Sequence, residues 1–141
     1  MLKVALALPL VLVLCAASAR PAKTITRRQA RELVLKVLEA QGTPIRSPKF
    51  DLEDSPANEK YFPGFYSFDA YFDTASRLAT IGHYDVNRRT ADVWEGIGCH
   101  RLNPPAIRPL QKLLREEVGL SEQGYRKLST AAPCHPNSDY R

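Results

Sequence analysis

Tyr84-Asp85-Val86-Asn87-Arg88-Arg89-Thr90-Ala91-Asp92-Val93-Trp94-Glu95 sets two short apolar segments on either side of a polar turn and holds the chain's only Trp. That pattern reads as a β-hairpin. Upstream of it the period is two: Tyr66, Phe68, Ala70 and Phe72 alternate with Ser67, Asp69, Tyr71 and Asp73, as in a half-buried antiparallel strand. Thr74 to Arg77 is read as a turn, and Leu78 to Val86 as a second strand with Leu78, Tyr84 and Val86 on one face. Gly82 inside that strand marks a bulge or a close backbone approach. Asn87-Arg88-Arg89 turns the chain into a third strand, Thr90 to Ile97. Gly96, Gly98 and Asn103-Pro104-Pro105 then end the sheet, giving a meander of three to four strands.

Before the sheet, Ala30, Leu33, Val34, Val37 and Leu38 recur at the spacing of one helical face, opposite Arg31, Glu32, Lys36 and Glu39. Thr26 with Gln29 predicts a capping box, and Gln41-Gly42 predicts the stop. An amphipathic helix over Thr26 to Ala40 needs a surface to cover, and the sheet supplies it. Thr43 to Gly64 holds Pro44, Pro48, Pro56 and Pro63 and sustains no period, so it reads as a long connection. Its acidic residues match no calcium loop spacing. After the sheet, a helix is expected from near Arg108, with Pro109 in its first turn, to a stop at Gly119. Ser121 is a fitting N-cap for a short helix to Leu128, and the tail from Pro133 reads as irregular.

The chain has 141 residues, 44% hydrophobic and 25% charged, with 11 prolines and a formal charge of +5. Those values fit one globular α+β domain and not a disordered chain. Basic residues are dispersed among acidic ones, so no nucleic-acid partner is expected. At the N-terminus, Met1-Leu2-Lys3 precedes an apolar run from Val4 to Ala17 and a small-residue site at Ala17-Ser18-Ala19. This is the pattern of a signal peptide over 1–19. The run is shorter than the ~20 residues a membrane span requires. Leu14 before Cys15 departs from a lipoprotein signal. The expected location is secreted or periplasmic, with no membrane span after cleavage, and residues 20–141 form the domain.

Loss of Cys15 with the signal leaves Cys99 and Cys134, which in an oxidising compartment predict one disulfide. It would close a loop of about 36 residues and contribute roughly 3 to 4 kcal/mol. His100 and His135 follow the two half-cystines and would be brought together, so with Asp139 they are the metal-binding alternative; no third ligand sits at a recognised spacing. His83 lies mid-strand with a side chain suited to acid or base work. No serine elbow, HExxH, phosphate loop or dinucleotide fingerprint accompanies it, so no catalytic residue and no cofactor is assigned. Tyr71, His83, Arg88, Arg89 and Trp94 are the candidate binding surface, with the Asn87-Arg88-Arg89 turn the part most open to a partner.

The helix, the strands and Tyr84, Val86, Asn87, Thr90 and Val93 in the hairpin resemble PepSY-like domains of secreted and envelope proteins. Ala91 stands where that pattern has glycine. The chain also resembles uncharacterised secreted bacterial proteins sharing the Gly82-His83-Tyr84 to Trp94 core and a Gln111-Lys112-Leu113-Leu114-Arg115 helix. The PepSY resemblance implies a cystatin-like α+β module that regulates a peptidase. Its partner would be another envelope or secreted protein. Two other classes remain in view: a small hydrolase or metal-dependent enzyme using His83, or His100 with His135, and a structural envelope protein.

Overall fold

A computed structural model describes residues 21–74 and 77–134. The signal segment and His135 therefore lie outside the described residues. The chain folds as α1 (Arg27–Ala40), β1 (Phe50–Asp54), α2 (Pro56–Glu59), β2 (Phe65–Thr74), β3 (Arg77–Asn87), β4 (Val93–Glu95), β5 (His100–Leu102), a 3-10 turn (Pro105–Ile107), α3 (Arg108–Glu117) and α4 (Glu122–Leu128). The five strands lie in sequence order in one antiparallel sheet.

Helix α1 forms as its capping chemistry dictates. The Gln29 amide donates to Thr26 Oγ1, and the Thr26 amide donates to Gln29 Oε1. Those bonds satisfy two amides that a helix start leaves without partners. At the far end Gly42 turns left-handed at φ 81°, with its amide on the Glu39 carbonyl and the Thr43 amide on the Leu38 carbonyl. Helix α3 stops the same way at Gly119 (φ 69°), with Leu120 bonded back to Arg115. Both ends close their last carbonyls through a residue without a Cβ.

Ala30, Leu33, Val34, Val37 and Leu38 of α1 are fully buried against Leu52, Phe68, Ala70, Tyr84, Val86 and Val93 of the sheet. Ile107 and Leu114 complete this core. The helix-on-sheet arrangement is thus present, and the two C-terminal helices follow it. Gly82 has both expected properties. The β2–β3 register slips between Ala70 and Tyr71, leaving Ile81 as the extra residue, and a Cβ at Gly82 would lie 2.9 Å from the Tyr84 hydroxyl.

Several sequence expectations need correction. The stretch Thr43 to Gly64 is not an unstructured connection: Phe50–Asp54 pairs with Phe68–Phe72 as an edge strand, and Pro56–Glu59 makes one helical turn. Its alternation is masked by charge, because only Leu52 of β1 is buried. The sheet has five strands, not three or four, since His100–Leu102 returns to pair with β4. The third strand is only Val93–Glu95, because Thr90 to Asp92 are consumed by the turn. The bulge also moves residue 78 out of the Tyr84–Val86 row and into register with Asp73.

Candidate functional site

The turn after β3 is built from its own side chains. Asn87 Oδ1 accepts from the amides of Arg89 and Thr90, each at 2.9 Å, and the Asn87 amide closes on the Asp92 carbonyl. Asparagine favours such turns because its short amide replaces a backbone acceptor. Ala91 then takes φ 59°, a left-handed conformation that glycine adopts without the Cβ penalty.

Although half-exposed, this turn is held by several neighbouring segments. Gln111 Nε2 donates to the Ala91 carbonyl, Arg115 Nη1 to the Thr90 carbonyl, and the Ile25 amide to the Arg88 carbonyl. Tyr125 of α4 donates to Asp92 Oδ1 at 3.1 Å, with the Arg115 guanidinium 4.3 Å from the Tyr125 ring. Burial pushes the Asp92 carboxyl above its ordinary value, against the opposing pull of Thr90, Arg101, Tyr125 and Arg115. Asn87, Arg88 and Arg89 themselves stay half-buried, so the expected surface is partly accessible and at the same time tied into the fold. It is a hub to which α1, α3 and α4 are all tied.

Arg88 shows why. Its Nη2 donates to Glu59 Oε2 at 2.7 Å, its Nε donates to the Phe65 carbonyl, and its guanidinium lies 4.3 Å from the Tyr66 ring. Arg27 reaches the same carboxylate through both Nη atoms, at 2.7 and 3.1 Å, and stacks on the same ring at 4.7 Å. Burial alone would raise the Glu59 carboxyl. Hydrogen bonds from Arg27 and the Ser67 amide, with the charges of Arg27 and Arg88, hold it below its usual value instead. Arg89 keeps a buried Nε with no hydrogen-bond partner among the described residues.

The sheet's other face carries the remaining candidates. Opposed residues of an antiparallel ladder share a face, and neighbours along a strand alternate. Since Phe68, Ala70, Tyr84 and Val93 point into the core, one row of the second face runs Ser67, Asp85, Trp94, Arg101. The next row holds Glu53, Asp69 and His83, and beyond it Asp51 opposes Tyr71. Ser67 Oγ donates to Asp85 Oδ1, and both residues are buried. Burial is the main cause that lifts the Asp85 carboxyl above its ordinary value.

His83 Nδ1 is engaged by Asp69 Oδ1, with the imidazole 44% exposed. Tyr71 hydrogen-bonds towards Asp51, and its hydroxyl is raised well above its usual range by a hydrogen bond to Glu53, by partial desolvation and by the neighbouring carboxylates. Trp94 is half-buried, and its Nε1 lacks a partner among the described residues. Of the five candidates, then, Tyr71 and His83 sit together on an accessible face. Trp94 sits in its more buried part, and Arg88 and Arg89 belong to the turn. Asp69 and Asp73 share this face as the β2 alternation predicts, whereas Asp51 and Glu53 were missed because β1 was not read as a strand.

Cys99 and Cys134 form the expected disulfide, Cα to Cα 5.7 Å. It joins the β4–β5 turn to the segment after α4. There Tyr61, Phe62, Pro63 and Phe65 face Ala131 to Cys134 across a shallow groove of about 300 Å³. A second groove, about 490 Å³, lies between α1 and α3 over Leu35, Leu110, Leu113 and Leu114. His100 is exposed on edge strand β5. No cluster of three or more metal-ligating side chains occurs among the described residues. No helix among them is long and apolar enough to cross a membrane.

No protein-family model matches the sequence, and no curated protein does. A solved structure does: a chain described as part of a type VI secretion system effector–immunity complex from Pseudomonas protegens is 22% identical, with a TM-score of 0.64. The match covers 76% of this chain and 88% of that one. The likeness establishes a shared fold.

Proposed function

We propose that this chain is a protein-binding module of the effector–immunity type, acting by docking a protein partner rather than by transforming a small molecule. The observation that carries the reading is the sheet itself. One face is filled by α1 and Ile107, while on the second Tyr71, His83 and a set of carboxylates stay exposed or half-exposed among the described residues. An accessible sheet face of this kind offers contact area to a protein. The fold it shares with a chain from an effector–immunity complex supports the same reading.

Its location is proposed as secreted or periplasmic, and the Cys99–Cys134 bond supports an oxidising compartment. A narrower version is regulation of a peptidase, as the PepSY resemblance implies. What supports it is the left-handed backbone at Ala91, the conformation that glycine supplies most readily at that point of the family's hairpin.

The test is gel filtration of the mature chain with each secreted protein encoded beside it. The reading predicts a stable complex with one of them and loss of that partner's toxicity or activity in the complex. Absence of a complex with every neighbour, or a partner whose activity is unchanged when bound, removes it. A partner that proves to be a peptidase selects the narrower version.

A further inference from the structure

The charge on the accessible part of the sheet's second face runs against the charge of the whole molecule. The chain carries a formal +5, yet on this face Asp51, Glu53, Asp73 and Thr80 are exposed and Asp69, Tyr71 and His83 half-exposed, with Lys49 at its edge opposite Asp73. Of its cation-capable residues, His83 is already engaged by Asp69, and Lys49 makes no ion pair among the described residues. Asp51, Glu53 and Asp73 meet no arginine or lysine head within ion-pair distance among the described residues. Elsewhere the chain pairs its acids freely: Glu59 takes two arginines, and Asp54, one residue along β1 from Glu53, takes Arg27 and Arg31.

Like charges set on adjacent strands repel, and bringing a positive surface against them removes that repulsion while adding attraction. Tyr71 stands between the strands with its hydroxyl towards Asp51, an amphipathic anchor of the kind that concentrates binding energy in protein interfaces. Nucleic acids and anionic membrane surfaces are repelled by the same face.

We propose that this face, centred on Tyr71 with Asp51, Glu53 and Asp73, docks a lysine- and arginine-rich surface of a partner protein. The inference rests on the protein-binding reading above and deepens it by naming the surface and the partner's chemistry. A partner with a positive face is steered to this side of the molecule although the net charges of the two proteins repel.

The test uses an immobilised decalysine peptide and the disulfide-bonded mature chain at about physiological salt, where exposed charges act over roughly 8 Å. The triple variant D51N/E53Q/D73N leaves Asp69 with His83 and keeps an acceptor at residue 51 for the Leu52 amide that Asp51 now caps. The control E32Q/E39Q/E116Q removes the same charge from helices α1 and α3, and circular dichroism confirms that both variants fold. The proposal predicts binding by the wild type that weakens at least about tenfold in the face variant and less than about twofold in the control. Equal weakening in both variants, or no binding by the wild type, overturns it.

A calcium chloride titration is the second arm. Stoichiometric calcium binding that disappears in the face variant assigns the carboxylates to a cation and also overturns the proposal. A neighbour-encoded protein that binds wild type and face variant alike sinks this inference alone, whereas failure to bind any protein sinks the parent reading as well.

Discussion

Replacing Glu59 by alanine removes one carboxylate that holds three separate segments. Arg27 opens α1, Arg88 sits in the β3–β4 turn, and the Ser67 amide belongs to β2. The Glu59 side chain is only 12% exposed, whereas Arg27 and Arg88 are 35% and 32% exposed. A fully buried pair broken from one side costs about 3 to 5 kcal/mol, and an exposed one less than about 1 kcal/mol. With a buried acid and two partly solvated bases, the expected loss lies between, about 2 to 3 kcal/mol. For a domain of this size that lowers Tm by about 10 °C.

Urea unfolding followed by Trp94 fluorescence reads the change, with the slope unchanged if only the native state is affected. Asp54→Ala is the internal comparison, because Asp54 meets Arg27 and Arg31 only at 3.7 and 3.8 Å on the surface. It is expected to cost less than about 0.5 kcal/mol. The Glu59→Ala, Arg88→Ala cycle should return a coupling of about 1 kcal/mol. A Glu59→Ala loss no larger than that of Asp54→Ala refutes the claim that this carboxylate is a structural clamp.

Glu59 and Asp85 pull pH dependence in opposite directions. Glu59 is depressed in the fold, so its contribution is present above its unfolded pKa of about 4.3 and is lost as pH falls through the lower folded value. Asp85 is raised, so the fold binds its proton more tightly and Asp85 makes the protein less stable as pH rises from about 3.9 through the raised value. Asp85→Asn should therefore flatten that fall, read as chemical denaturation midpoints across the acid range; an unchanged pH profile contradicts it. Cys99→Ser with Cys134→Ser should cost roughly 3 to 4 kcal/mol in thermal and urea unfolding, and a loss below about 1 kcal/mol would show that chain entropy is not what the bond restrains. Thr26→Ala should cost about 1 kcal/mol by removing the acceptor for the Gln29 amide, with α1 amide exchange rising at its first turn; unchanged exchange there would show the cap to be idle.

Periodicity and capping carried the legible part of the fold. Thr26, Gln29, Gly42, Gly119 and Ser121 act locally, so their roles can be read without knowing what the elements pack against. The α1 stripe and the Tyr66 to Phe72 alternation likewise reflect burial on one side. Strand β1 was hidden because its register, not its composition, makes it a strand: Phe50, Asp51, Leu52, Glu53 and Asp54 gain their order by pairing with β2. Strand β5 is three residues of an edge and too short to show a period.

The same limit applied to the site. Arg88 and Arg89 look solvent-facing in sequence because they are charged and sit in a turn. The tie of Arg88 to Glu59, and of the neighbouring Ala91 and Asp92 to Gln111 and Tyr125, comes from residues tens of positions away that give no local signal. Asp69, Tyr71 and Asp73 were legible together in the β2 alternation; Asp51 and Glu53 joined them only when β1 was placed beside β2.

The most direct test is amide NMR of the isotopically labelled mature chain as the cognate neighbour-encoded protein is added. Docking through the open sheet face predicts shifts confined to the strands around Asp51, Glu53, Asp69, Tyr71, Asp73 and His83, with the outer faces of α1 and α3 unmoved. Shifts that instead cluster along the α1–α3 groove at Leu110 and Leu113 would contradict the account.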